Sequence, residues 1–430
     1  MIPDDLLAER RRLLEQWDAV DSPNDMLEIQ ERIAEQIRDA ERAIKDGSRD
    51  RDALVHHISQ LRLYADGLAW RFLHPHAIRQ LAKNPSKPPS LINQDAAFDD
   101  VLRSARRCVE ESGLPVLIAD ITNIIKIGDL ILVTDRELPQ IVECKTRLPH
   151  PRYWMQGRIG RQISRTVATQ RYLSGKPTKF HGDDLIRLVV ESEGEPERNW
   201  DAVGSCVAAA LDHGHGFLRL SEHELVCACR STQLNEALDE LVESAKELPQ
   251  PVFLGTSQRL LEGFDGLLPP AIVWPLAAAG RFAVTEGKVI VIHFVSEAAF
   301  ERGGEGWRIQ VTGDRPCYVS VFLEEEEYRF SERFTDDVLY GFETVDSCVT
   351  GLLAAGRQVG DLLAAGGEAL FEVPVASHKP KVTYLGRQGT RLRFAVGQSG
   401  DTMTVVQDVV ELVRRPVAEA KMEDSGGESG

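Results

Sequence analysis

The stretch from Gly128 to Lys145, GDLILVTDRELPQIVECK, decides how this chain is read. Asp129 opens an apolar run, Leu130 to Val133, and Asp135 to Gln140 carries charges and a proline that suit a turn between antiparallel strands. The second strand ends in Glu143-Cys144-Lys145. Successive side chains of a strand alternate faces, so Glu143 and Lys145 are predicted to share one side while Cys144 takes the other. Thirteen residues separate Asp129 from Glu143, and a hairpin of that span brings two carboxylates and an ammonium to one point.

Such a trio has a recognisable chemistry. Carboxylate oxygens are hard ligands suited to Mg²⁺, which takes one or two from protein and completes its shell with water and substrate phosphate. A neighbouring Lys offsets the carboxylate charge and stabilises charge developing on phosphoryl oxygens. The reaction these groups point to is phosphodiester hydrolysis.

At these residues the chain resembles the restriction-endonuclease-like, or PD-(D/E)XK, nuclease superfamily, whose pattern is an Asp, a variable gap, Asp or Glu, any residue, and Lys. The resemblance spans about residues 95–230. It implies an endonuclease cutting DNA with Mg²⁺ or Mn²⁺, in a setting of restriction, phage defence or repair. It implies that Asp129 and Glu143 bind the metal and that Lys145 helps to activate water. Gly128 stands where the family's older name has a Pro, a departure shared by many members. An acidic residue on the preceding helix, here about Asp95 to Ser112, commonly adds a metal ligand; Asp99, after Phe98, is the best match among Asp99, Asp100, Glu110 and Glu111. A Gln on the following helix often completes the site, with Gln162 and Gln170 both available.

Charge distribution gives independent support. The whole chain has a net charge of −17, yet Lys145 to Lys179 holds nine Lys or Arg and no Asp or Glu. Arg158, Arg161 and Arg165 recur at helical spacing and would share one face, and Arg147, Arg152 and Arg171 add positive charge along the same segment. Tyr153 and Trp154 offer rings for stacking on bases. Phosphate contact is the natural use of such a stripe, and binding would then weaken steeply with salt. The bland alternative pairs these arginines with the acidic remainder of the chain or with an acidic partner.

With 430 residues, 43% of them hydrophobic, the chain can bury cores for two or three domains. No apolar segment follows the charged start MIPDDLLAERRR, and no run approaches a membrane span, so a cytoplasmic protein without membrane contact is expected. Seven scattered cysteines suit reduced thiols rather than a disulfide framework. No Gly-rich phosphate loop with a following Lys and Ser or Thr is present, which argues against an NTPase motor.

The expected fold class is α/β. Residues 1–83 read as a helical bundle or coiled-coil region: Ser22-Pro23-Asn24-Asp25 starts a helix, and Met26, Ile29, Ile33, Ile37, Ala40 and Ile44 line one face of it. That stripe suits either helices packing on one another or a homodimer contact. The prolines of 84–94 suggest a linker. A restriction-endonuclease-like mixed-sheet core is expected over 95–230, a connecting helix over 231–250, a mixed α+β C-terminal domain of unknown role over 251–420, and a disordered tail over 421–430. The alternative to a nuclease is a noncatalytic nucleic-acid-binding or scaffolding protein that kept the nuclease-like fold.

Overall fold

A computed structural model of the chain describes residues 3–82, 88–134, 139–145, 168–169, 178–179, 186–187, 196–257, 260, 268–311, 317–323, 326–331, 333–364, 381–387 and 391–397. Helices lead: α1 (Asp4–Asp18), α2 (Pro23–Lys45), α3 (Arg51–Phe72), α4 (Pro75–Leu81) and α5 (Asp95–Ser112). Strands β1 (Val116–Ile118), β2 (Leu130–Leu132) and β3 (Gln140–Lys145) follow, then the short β4 (Thr178–Lys179) and β5 (Ile186–Arg187). A second unit starts with α6 (Trp200–His213), β6 (His215–Arg219), β7 (Glu224–Arg230), α7 (Leu234–Lys246), β8 (Val252–Thr256), α8 (Ala278–Thr285) and β9 (Val289–Ser296). It continues through β10 (Gly303–Gly304), β11 (Trp307–Val311), β12 (Cys317–Leu323), β13 (Glu326–Ser331), α9 (Arg333–Gly341) and α10 (Val345–Ala364). A hairpin of β14 (Lys381–Arg387) and β15 (Arg391–Gly397) comes last among the described residues.

Helix α2 begins where its sequence says it should. Ser22 accepts the Asp25 N–H at 3.1 Å while Asp25 accepts the Ser22 N–H at 3.1 Å, a reciprocal cap with Pro23 inside it. Its stripe of Met26, Ile29, Ile33 and Ile37 is buried in a core shared with α3, α5, β1 and β2. The stripe is therefore buried against the chain's own helices and strands, the intramolecular one of the two packings expected for it. Gln30, fully buried in the same helix, ties the layers together. Its Nε2 donates to the Val116 carbonyl at 2.7 Å and its Oε1 accepts the Ile118 N–H at 2.8 Å. Strand β1 lies at the edge of its sheet, so the Gln30 amide stands in for the missing neighbouring strand.

The presumed linker is fastened over its described part. Glu41 accepts from the Ser90 hydroxyl and the Ile92 N–H, both at 3.0 Å, Arg62 donates to the Pro89 carbonyl at 2.9 Å, and Leu91 is buried. Helices and first sheet thus form one body rather than a bundle tethered to a separate domain.

All ladders among the described strands are antiparallel. The first sheet runs β1-β2-β3-β15-β14, while β4 and β5 pair only with each other. The parallel partner that a mixed sheet requires is not among the described strands. The expected boundary at 230 moves as well: β6 and β7 belong to a sheet ordered β6-β7-β9-β8, so the second unit begins before Trp200. Alternation sorts its two faces. Val226, Ala228, Val291 and Val295 pack toward α6, and Leu225, Cys227, Cys229, Ile290 and Ile292 toward α7. The remaining sheet, β10-β11-β12-β13, packs on α10.

The two units interlock through α1 and α3. Arg10 and Glu286, both fully buried, form a two-pronged ion pair with Nε–Oε1 at 2.8 Å and Nη2–Oε2 at 2.6 Å. The third arm of Arg10 meets His57 Nδ1 at 2.9 Å. Arg281 reaches Asp18 at the rim of the same contact, and Ile272 and Phe282 insert into the first unit's core.

Candidate functional site

The expected hairpin of β2 and β3 forms. Leu130 pairs with Val142 and Ile131 with Ile141. By that register Cys144 looks to position 128 for its ladder partner, but Gly128 has φ +81° and turns out of the strand. The Asp129 side chain fills the gap, its Oδ2 accepting the Cys144 N–H at 2.5 Å. Asp129 is fixed by its main chain too, its N–H donating to the Val142 carbonyl at 2.9 Å and its carbonyl accepting the Ala119 N–H at 3.0 Å. One carboxylate is thereby pinned against the backbone that carries Glu143 and Lys145.

Gly128 explains the departure from Pro. A proline is locked near φ −65° and cannot take a positive φ. A Cβ at this position would stand 2.6 Å from Ile141 Cγ2 and 3.3 Å from the Val142 carbonyl oxygen. Only glycine meets both conditions without strain.

The segment leading into Gly128 is anchored from α3. Asp66 accepts the N–H groups of Asn123 at 2.7 Å and Ile124 at 3.2 Å and the Asn123 side-chain amide at 2.8 Å. Burial outweighs those bonds and pushes the Asp66 carboxyl up to about 6. Arg62 donates to the Asp120 carbonyl at 2.6 Å. The neighbouring Lys126 ammonium is pulled below its ordinary range by burial, against the attraction of Asp66.

Helix α5 packs on β1, β2 and β3 as expected, but Asp99 does not face them as an available ligand. Arg38 of α2 holds its carboxylate at 2.8 Å and that of Asp95 at 2.8 Å, and stacks over the Phe98 ring. At 3.6 residues per turn, Asp99 and Asp100 fall on opposite flanks of the buried stripe formed by Phe98, Val101, Ala105 and Cys108. Asp100 is the buried acid of the pair, joined to Arg103 one turn on. The sequence offered both, and only burial separates them.

Strand β3 contains Glu143 and Lys145 as predicted, but their side chains lie outside what is described. So do Arg147, Arg152, Tyr153, Trp154, Arg158, Arg161, Gln162, Arg165, Gln170 and Arg171. Among the described residues no group of three His, Cys, Asp or Glu side chains is arranged to hold a metal ion. Among them, too, no helix is long and apolar enough to cross a membrane. No family model, curated protein or solved structure matches this chain.

Proposed function

We propose that the chain is a metal-dependent nuclease that hydrolyses phosphodiester bonds, with DNA as its substrate. The observation that carries this reading is the Asp129 carboxylate held against the Glu143–Lys145 backbone at the mouth of a two-stranded hairpin, beneath an acid-bearing helix. Asp129 and Glu143 are the hard oxygen donors that Mg²⁺ or Mn²⁺ favours. When bound, the metal polarises a phosphoryl oxygen and lowers the pKa of a coordinated water. Asp129 contributes a preset position, because the Cys144 N–H fixes one oxygen before any ligand arrives. Lys145, two residues beyond Glu143 on the same strand, supplies positive charge for the phosphoryl oxygens. Asp99 is engaged by Arg38 and Asp100 by Arg103, so the proposed metal site rests on Asp129 and Glu143. The cationic stretch from Lys145 to Lys179 is the candidate track for the phosphate backbone, with Gln162 and Gln170 as the polar groups completing the site.

One observation favours a second reading, a noncatalytic nucleic-acid-binding or scaffolding protein. The bond from Cys144 to Asp129 gives Asp129 a structural use without any metal. One substitution separates the two. Asn retains an oxygen for the Cys144 N–H but lacks the anionic charge. Under the nuclease reading, Asp129→Asn keeps its thermal stability and salt-sensitive DNA binding, while Mg²⁺-dependent, EDTA-sensitive nicking of plasmid DNA falls by about 100-fold or more. Lys145→Ala behaves alike. Nicking that persists in both variants, or that is lacking in the wild type with Mg²⁺ and with Mn²⁺, refutes the reading.

A further inference from the structure

Four departures from ordinary packing meet at one place in the second unit. His293, in the middle of β9, is 1% exposed, and neither ring nitrogen has a hydrogen-bond partner. Buried Glu224 places an unpartnered Oε2 at 3.7 Å from His293 Nε2. Trp274 is buried with its indole N–H unpartnered. Phe342, just past the end of α9, holds φ +52°, a region that a bulky aromatic residue rarely enters. Its ring stacks on His293 at 5.3 Å and 26°, meets Trp274 edge-on at 5.2 Å, and lies 5.2 Å from Trp200. Buried polar atoms without partners and strained aromatic backbones are each uncommon in native cores.

We propose that Phe342 plugs a nucleobase-sized slot, walled by His293, Trp274 and Trp200, with the Glu224 carboxylate beside it to read the edge of an incoming ring. A planar heteroaromatic ring in place of the Phe342 ring retains the stacking. It also carries the N–H donors that the orphaned Glu224 oxygen lacks, which an aliphatic or purely aromatic occupant does not. The plug has a defined latch. Asn199 donates to the Phe342 carbonyl at 2.8 Å, and the exposed Arg198 donates to the Gly341 carbonyl at 2.6 Å. Arg198 and the partly exposed Trp200 mark the rim, where a sugar phosphate attached to the base would emerge beside a cation. Displacing the plug also releases its backbone strain. The slot is independent of the Asp129 site.

The test is a titration of intrinsic tryptophan fluorescence in EDTA with each of four ribonucleoside monophosphates and, separately, with a short single-stranded oligonucleotide. Saturable quenching by a monophosphate identifies a free nucleotide as the ligand, and quenching by the oligonucleotide alone that survives Trp154→Phe and tightens in the plug variants identifies a base presented by a strand. Phe342→Gly removes the plug and is expected to tighten binding about tenfold, equivalent to about 1.4 kcal/mol. Phe342→Leu carries the same sign if the glycine variant does not fold. Glu224→Gln is expected to change the order of preference among the bases. No saturable quenching by either probe in the wild type or in the plug variants overturns the proposal, as do titrations of Glu224→Gln that superimpose on the wild type.

Discussion

Gly128 shows how much one residue decides. Its positive φ turns the chain out of β2, and that turn hands the Cys144 N–H to the Asp129 carboxylate. Gly128→Ala should cost roughly 1–3 kcal/mol through strain at positive φ, with further loss from the clash with Ile141. Gly128→Pro should cost more, because its ring forbids the conformation. Urea unfolding measures both, and a neutral alanine variant contradicts the account. The apolar runs, the turn residues between them and the spacing revealed the hairpin and the position of Asp129. The choice between Asp99 and Asp100 was not legible, because adjacent helical residues differ by rotation, and which flank meets Arg38 depends on how α2 packs across α5.

At the scale of elements, Gln30 is the residue whose importance the pattern conceals. It falls beside Ile29 and Ile33 on the apolar face, where a polar side chain reads as a blemish in the stripe. In the fold it closes the edge of β1. Gln30→Leu retains the bulk and leaves two buried main-chain groups unpaired, an expected loss of about 2–4 kcal/mol by chemical denaturation. A loss below about 0.5 kcal/mol, the scale of an ordinary surface change, rules out the strand-surrogate role. Helix α2 itself was readable end to end, since its cap and stripe are local signals. The sheet that β6 and β7 join was not readable. Strand β9, the neighbour of β7, lies some sixty residues further along, and no local pattern records which sheet a strand joins.

At the scale of the whole molecule, the Arg10–Glu286 pair should couple the stabilities of the two units. Removing one member strands a buried charge, so Glu286→Gln is expected to cost about 3–5 kcal/mol. Replacing both by apolar residues of similar volume should cost much less. Calorimetry checks both expectations, and equal losses for single and double variants refute the coupling. Acid response follows from two buried groups. Burial, followed by the charge of Arg10, lowers His57 to about 4. The stability from keeping it neutral is complete above its ordinary value of 6.5 and is lost as pH falls through 4. Asp66, raised to about 6, acts in the opposite sense: its contribution is complete below its ordinary 3.8 and is lost as pH rises through 6. Each is worth roughly 3 kcal/mol, so between pH 6.5 and 4 the two nearly cancel. His57→Gln should uncover the Asp66 slope, with stability rising as the medium is acidified across that window. An unaltered slope in unfolding free energy against pH contradicts the assignment.

The ion pair between Arg10 and Glu286 also imposes a schedule on biosynthesis. Its members are 276 positions apart in the chain, a separation the ribosome covers in roughly 15 to 55 s at ordinary elongation rates. Throughout that interval the amino-terminal guanidinium has no counter-ion to enter the interior with, so the nascent helical layer must wait, incompletely closed, for the later half to emerge. A truncated translation product ending before Glu286 should accordingly be captured by chaperones and cut readily by protease, however well its own helices are written.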